Sequence, residues 1–237
     1  MYSYNEMAVE ELNKWKKKMR KKSSIVEKAS KGIQNKFNGM LPEKYHEIIT
    51  SAIKNMIKVV LVGSKYITKE SHINLSLQER EELAAQKTKT YKTTAMIEGA
   101  GTGAGGILLA FADLPLLLSI KIKFLYDIAA IYGFDVSDYK ERIYILYVFQ
   151  LAFSSKSNVN EVFGRMENFE EYYRTLPRDF NSFDWRAFQQ EYRDYIDLAK
   201  LLQMVPGIGA FVGAYVNTKF IDKLSETAVQ AYRMRIL

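Results

Sequence analysis

Gly99-Ala100-Gly101-Thr102-Gly103-Ala104-Gly105-Gly106 leads directly into Ile107 to Ile120, ILLAFADLPLLLSI, a run whose one acidic residue is Asp113. Read as G-x-G-x-x-G, Gly101 to Gly106 would cradle a dinucleotide phosphate, with Asp127 about twenty residues further on as the ribose partner. That reading needs a hydrophobic strand before the glycines and βα alternation after them. Lys87 to Thr94 is instead rich in Lys and Thr, and no Gly-Lys-Ser/Thr completes a P-loop. Close packing is the better account. Gly99/Gly103, Gly101/Gly105 and, near the C-terminus, Gly209/Gly213 are each spaced i,i+4, with Gly106 and Gly207 adjoining. On a helix such pairs make flat faces that let backbones approach. Five helical glycines cost about 4–5 kcal/mol relative to alanine, so another helix or an apolar surrounding must offset them.

Working outward, the apolar pattern is helical nearly throughout. Leu12, Trp15, Met19, Val26, Ile33 and Phe37 form one stripe of a cationic first helix. Pro42 suits the opening of a second helix with Ala52/Ile53, Met56 and Val59/Val60 on its apolar face. Ser76-Leu77-Gln78-Glu79 is a capping box for a third. Asp113 suits the cap of a fourth, with Pro115 in its first turn and Gly133 as its stop. Asp138 or Ser137 opens a fifth, whose residues Ile143 to Phe153 have only Gln150 as a polar member, the mark of a central helix. Asn158 begins another that runs toward Pro177. A long helix follows from about Phe183 to Val205, and a last one from about Ile208. No stretch alternates with period two. The expectation is an all-α multi-helix bundle with two Gly-rich apolar segments, a basic N-terminal helical region, 1–41, and a helical core, 42–237, together forming one continuous domain.

Composition narrows the chemistry. The chain has 237 residues, no cysteine and two histidines, so thiolate zinc sites and cysteine nucleophiles are excluded. Glu43-Lys44-Tyr45-His46 has the E-x-x-H spacing of di-iron bundles, but His72 lacks the matching partner. No metal or other cofactor is expected. The N-terminus has no apolar core of a secretory signal. Both apolar stretches are poor membrane spans, one interrupted by Asp113 and Pro115, the other short and Gly-rich.

The net charge of +7 is concentrated: Leu12 to Lys36 alone carries +9. Lys14, Trp15, Lys16, Lys17, Lys18, Arg20, Lys21 and Lys22 form the densest part. Anionic headgroups attract such a segment by about 1 kcal/mol per basic residue, and Trp suits the interface. Nucleic acid is not expected as a partner, because the charge is confined to one helix and no recognition motif follows. Glu98, Asp113 and Lys121 border or interrupt the apolar run and form a candidate polar site, since ionisable groups there need pairing, capping or water.

Several blocks resemble the EcsC family. They are Val62-Gly63-Ser64-Lys65-Tyr66-Ile67, Glu98 to Gly103, Ala112-Asp113-Leu114-Pro115, Lys121 to Asp135, Tyr139-Lys140-Glu141-Arg142 and Pro206-Gly207-Ile208-Gly209. The resemblance spans most of the chain. It implies a bacterial protein on the cytoplasmic side of the membrane, linked to an ABC exporter, and it carries no reaction. The combined expectation is a non-enzymatic accessory protein, peripheral at the inner face of the cell membrane. Its partners would be an anionic membrane surface and ABC transporter subunits. The alternative is a small-molecule or lipid-modifying enzyme with its site near Glu98, Asp113 and Lys121.

Overall fold

The computed structural model describes residues 3–21, 43–62, 74–102, 114–154, 158–176 and 210–237. Within them lie eight α-helices and no strand: α1 (Tyr4–Met19), α2 (Glu43–Val62), α3 (Leu77–Thr102), α4 (Leu114–Ile131), α5 (Tyr139–Phe153), α6 (Val159–Glu167), α7 (Phe169–Thr175) and α8 (Ala210–Ile236). The all-α bundle expected from the periodicity is the fold observed.

Local sequence sets most of the helix ends. Ser76 and Glu79 close the predicted capping box, the Glu79 N–H donating to Ser76 Oγ at 3.3 Å and the Ser76 N–H to Glu79 Oε2 at 2.8 Å. Asp138 caps α5 by accepting from the Lys140 N–H. Gly133, with φ 89°, stops α4 in a Schellman arrangement: its N–H reaches Ala130 O at 2.9 Å and the Phe134 N–H reaches Ala129 O at 3.0 Å.

Two boundaries differ from the sequence reading. The first helix does not run on from Leu12 toward Phe37. It starts at a second capping box, Ser3 with Glu6, and ends at Arg20, whose N–H closes on Lys16 O. Crowded cations at Lys16, Lys17, Lys18 and Arg20 favour a helix C-terminus, where the macrodipole is negative, over a helix interior. The helix expected from Asn158 toward Pro177 is broken at Asn168, between α6 and α7. The break turns Phe169 into the core, edge-on to Tyr144 at 4.7 Å between ring centroids. The helix expected over Phe183 to Val205 lies outside the described residues.

The most extensive helix contact is between α3 and α8. They are antiparallel, with Glu81 bonded to Arg233, Thr88 Oγ1 at 2.8 Å from Ser225 Oγ, and Lys92 at 2.7 Å from Asp222. Small residues, Ala84 and Ala95 of α3 and Ala228 of α8, are buried along these two helices. This register sets Gly99 to Gly101 of α3 level with Gly213 and Ala214 of α8. The third helix is otherwise polar because it needs only this narrow, small-residue strip to dock.

Around the pair, α5 is the central helix: every residue from Ile143 to Phe153 is buried. Buried tyrosines on neighbouring helices find carbonyl partners, Tyr126 at Val60 O and Tyr144 at Ala231 O, each 2.8 Å. The first helix adds Ala8, Leu12, Trp15 and Met19 to the same core.

At one end of the α3–α8 seam a charged cluster crosses four helices. Arg233 bonds both oxygens of Glu81 and reaches Glu11 Oε2 at 2.6 Å. Tyr4 and Tyr132 donate to Glu81 as well. Burial opposes the Arg233 charge, but its bonds to Glu81 and Glu11 outweigh that and hold its pKa above the ordinary guanidinium value. A second pair, Arg235 with Glu141 at 2.6 Å, stacks the guanidinium over Phe134 and Tyr144 at 3.9 and 4.4 Å from the ring centroids.

Replacing Arg233 by Ala should cost about 3–5 kcal/mol in urea unfolding, because Glu81 would stay buried without its partner. The double variant Arg233→Met with Glu81→Gln should recover part of that loss. In the seam, Ala95→Leu should cost about 1–3 kcal/mol by overpacking, against no measurable loss for Ala85→Leu on the exposed face. Alkaline pH gives an independent check. Burial pushes the Tyr91, Tyr132, Tyr144 and Tyr232 phenols well up, and burial with the Glu81 bond moves Tyr4 to about 12. The unfolded chain then binds fewer protons than the folded one above the ordinary tyrosine value of 10.0. Unfolding midpoints should therefore fall as pH rises from that value, with folded-state phenolate absorbance lagging behind that of the unfolded chain.

Candidate functional site

The basic segment lies on α1, and its two faces part company. Trp15 is turned inward, 5% exposed, with its ring edge-on to Phe163 at 5.5 Å. It is a core residue and does not meet an interface, a correction to the sequence reading. The pattern explains it: Trp15 shares a stripe with Leu12 and Met19, and the amphipathic helix buries that stripe whole.

The cations project from the other side, and several meet carboxylates. Lys14 pairs with Glu10 at 2.7 Å, Lys16 with Glu167 at 3.6 Å, Lys18 with Glu226 at 3.4 Å, and Arg20 with Glu167 at 2.5 Å. Lys17 and Lys21 have no carboxylate partner among the described residues. Exposed pairs such as Lys14–Glu10 are screened by water and salt and contribute little, so a phosphate surface can compete for them. Lys22 lies outside the described residues.

The candidate polar site is seen in part. Lys121 on α4 is fully buried, and its Nζ donates to Asn217 Oδ1 of α8 at 3.3 Å and to Leu117 O at 3.4 Å. Asn217 Nδ2 is buried and has no hydrogen-bond partner among the described residues. The Glu98 backbone continues α3 at the same level, but its side chain, like Asp113, lies outside the described residues. Of the glycines, Gly99 and Gly101 occupy the last turn of α3 and Gly213 the first turn of α8. Gly103, Gly105, Gly106, Gly207 and Gly209 fall outside the described residues. Lys121 lines none of the described grooves.

The same end of the bundle exposes large apolar side chains. Met96 and Ile97 near the end of α3 are 50% and 68% exposed, and Leu116 at the start of α4 is 57% exposed. No helix among the described residues is long and apolar enough to cross a membrane.

Below that end, α3 and α4 frame an open groove of about 430 Å³ lined by Leu83, Lys87, Thr90, Tyr91, Thr94, Asp127 and Ile131, with Gln86 at its edge. Asp127 sits recessed at its floor. The Lys123 ammonium donates to its Oδ1 at 2.6 Å, the Tyr91 hydroxyl to its Oδ2 at 2.9 Å, and Lys87 stands 3.7 Å from Oδ2. Burial, then the Asp127 charge, pushes the Tyr91 phenol up, so it stays a donor. Sequence reasoning met Asp127 only as a ribose partner and Lys87 to Thr94 only as a stretch unlike a strand. The spacing Leu83, Lys87, Thr90, Thr94, one continuous helix face, was the available signal.

Comparison with known proteins bears on the whole chain. The family model described as "EcsC protein family" matches residues 6–237. "Protein EcsC" of Bacillus subtilis (strain 168) is 47% identical over 234 residues, covering 98% of this chain and 96% of that protein. "Uncharacterized protein YdbA" of the same organism is 26% identical over 249 residues, covering 96% and 90%. No solved structure matches the chain. A family model and a close relative that both span nearly the full length place this helical bundle in the EcsC protein family.

Proposed function

We propose that this chain is a non-enzymatic accessory protein, peripheral at the cytoplasmic face of a bacterial membrane and associated with an ABC transporter. The observation that supports this is the exposed apolar end formed by Met96, Ile97 and Leu116. Isolated exposed apolar residues are ordinary, but three large ones at one end of a bundle, beside two Gly-rich segments, suit contact with lipid or a partner. In this reading Gly99 and Gly101 of α3 and Gly213 of α8 continue the α3–α8 seam as a thin, close-packed wedge.

The cations are placed to assist. The α3–α8 register sets Ile97 level with Asn217, and Lys18 pairs with Glu226 nine residues further along α8. At a helical rise of 1.5 Å per residue, that is about 13 Å from the apolar end. An apolar edge seated about 5–10 Å into the interface would bring Lys17, Lys18 and Lys21 close to the headgroups. Their attraction decays over a Debye length of about 8–10 Å, so the geometry makes them contributors when the wedge is seated and weak when it is not.

Vesicle flotation tests the reading. The full chain should float with vesicles containing phosphatidylglycerol at low salt and much less with phosphatidylcholine alone. Ile97→Asp with Leu116→Asp should abolish flotation while leaving the helical circular dichroism and thermal midpoint unchanged. Lys17→Gln with Lys21→Gln should weaken flotation severalfold, and 0.5 M salt should do the same to the unaltered protein. Flotation that survives the double Asp variant would overturn the wedge.

A further inference from the structure

Between Glu82 and Glu98 the third helix has fifteen residues without an acid, among them three lysines, Lys87, Lys89 and Lys92, and four threonines. At 3.6 residues per turn, Gln86, Lys89, Thr90, Thr93 and Ile97 fall on one side, and all five are exposed. Ala84 and Ala95, on the opposite side, are buried. Carboxylates of the neighbouring helices meet the margins of this face. Asp127 of α4 lies recessed at 3.7 Å from Lys87, and Asp222 of α8 draws Lys92 to that flank at 2.7 Å. Glu226 of α8 meets Lys18 and Lys223. Lys89, at the centre, is exposed and enters no ion pair among the described residues. The Thr90, Thr93 and Thr94 hydroxyls each donate to the carbonyl four residues back. With those hydrogens already used inside the helix, the threonines lose less when water is displaced from them.

We propose that this outer face of α3, from Gln86 to Ile97, lies along the headgroups of an anionic phospholipid membrane, with Lys89 its central contact and Met96 and Ile97 the part that enters. This rests on the membrane-surface reading above and adds which side of the bundle turns to the lipid. Charge alone would serve any polyanion. Here the lysines run directly into two large exposed apolar side chains, Met96 and Ile97, whose burial a lipid surface rewards and a nucleic-acid backbone does not. The face spans eleven residues from Gln86 to Ile97, about 16 Å at the helical rise. A purely end-on seat would hold Gln86 that far back from the inserted tip. With α3 oblique to the surface, the whole face reaches the headgroup layer, and the long lysine stems lie along it with their ammonium groups at the phosphates. Each lysine so placed strengthens binding by about fivefold.

The chain has no cysteine, so single cysteines introduced at exposed positions can carry a bimane label on the full-length protein. With phosphatidylglycerol vesicles, labels on Gln86→Cys and Thr93→Cys should shift to the blue and be quenched by lipids spin-labelled near the headgroup. A label on Thr175→Cys, exposed on α7, should stay in water. In flotation, Lys89→Gln should weaken binding by about fivefold. Arg174→Gln, the same loss of charge on α7, should leave it within about twofold of the unaltered chain. Flotation of Lys89→Gln equal to that of the unaltered protein would overturn the assignment. A label that responds at Ile97→Cys but not at Gln86→Cys would overturn the α3 face and leave the surface reading standing, as an end-on seat. Failure of the unaltered chain to float, with every label in water, would sink the surface reading and this face with it. Saturable binding of a single-stranded oligonucleotide in place of vesicles would overturn the lipid assignment.

Discussion

The antiparallel docking of α3 on α8 is the constraint around which the bundle is organised, and the Arg233–Glu81 pair fixes its register. A seam of alanine, serine and threonine has little shape to choose one register over another. The two-pronged bond between a guanidinium and a carboxylate supplies what shape does not, because a slip of one helical turn would strand both charges in the core. The same guanidinium reaches Glu11, and Glu81 receives Tyr4 and Tyr132. One buried cluster therefore positions the start of α1 and the end of α4 together with the central pair.

From that fixed end the helices run in register to the other, where their character changes. The α3–α8 seam passes from the level of Ala84 through Thr88 and Ser225 to the level of Gly99 and Gly213, where side chains vanish. Charge is concentrated at the locked end and along α1, and exposed apolar side chains occur at both ends: Met7, Val9, Ile236 and Leu237 near Arg233, and Met96, Ile97 and Leu116 at the glycine end.

Much of this was legible in the chain because local signals act locally. The Ser76–Glu79 box, the Asp138 cap and the Gly133 stop each depend on a few residues and appear where expected. The run Ile143 to Phe153 could hardly be anything but central. What escaped reading depends on tertiary context. Nothing at Asn168 resembles a helix breaker; the chain turns there because Phe169 gains a place against Tyr144. The neutralisation of Lys16 and Arg20 by Glu167 joins residues far apart in sequence. The groove was invisible because its wall is polar on a helix that is polar almost all round, and its floor aspartate is meaningful only once α4 lies alongside.

The burial of Trp15 has a mechanical consequence for α1. A basic amphipathic helix at a membrane is commonly imagined as a detachable anchor that swings out to lay its apolar face in lipid. Here that face is already committed: Leu12, Trp15 and Met19 are each more than nine-tenths buried, and Glu11 is tied to Arg233. Releasing the helix would expose those side chains at about 1.5–3 kcal/mol apiece and break the ion pair, which cancels most of what a bilayer could return. The first helix therefore behaves as a fixed rail. It presents its lysines at a set height and angle, and whatever docks on them meets a rigid ruler of charge.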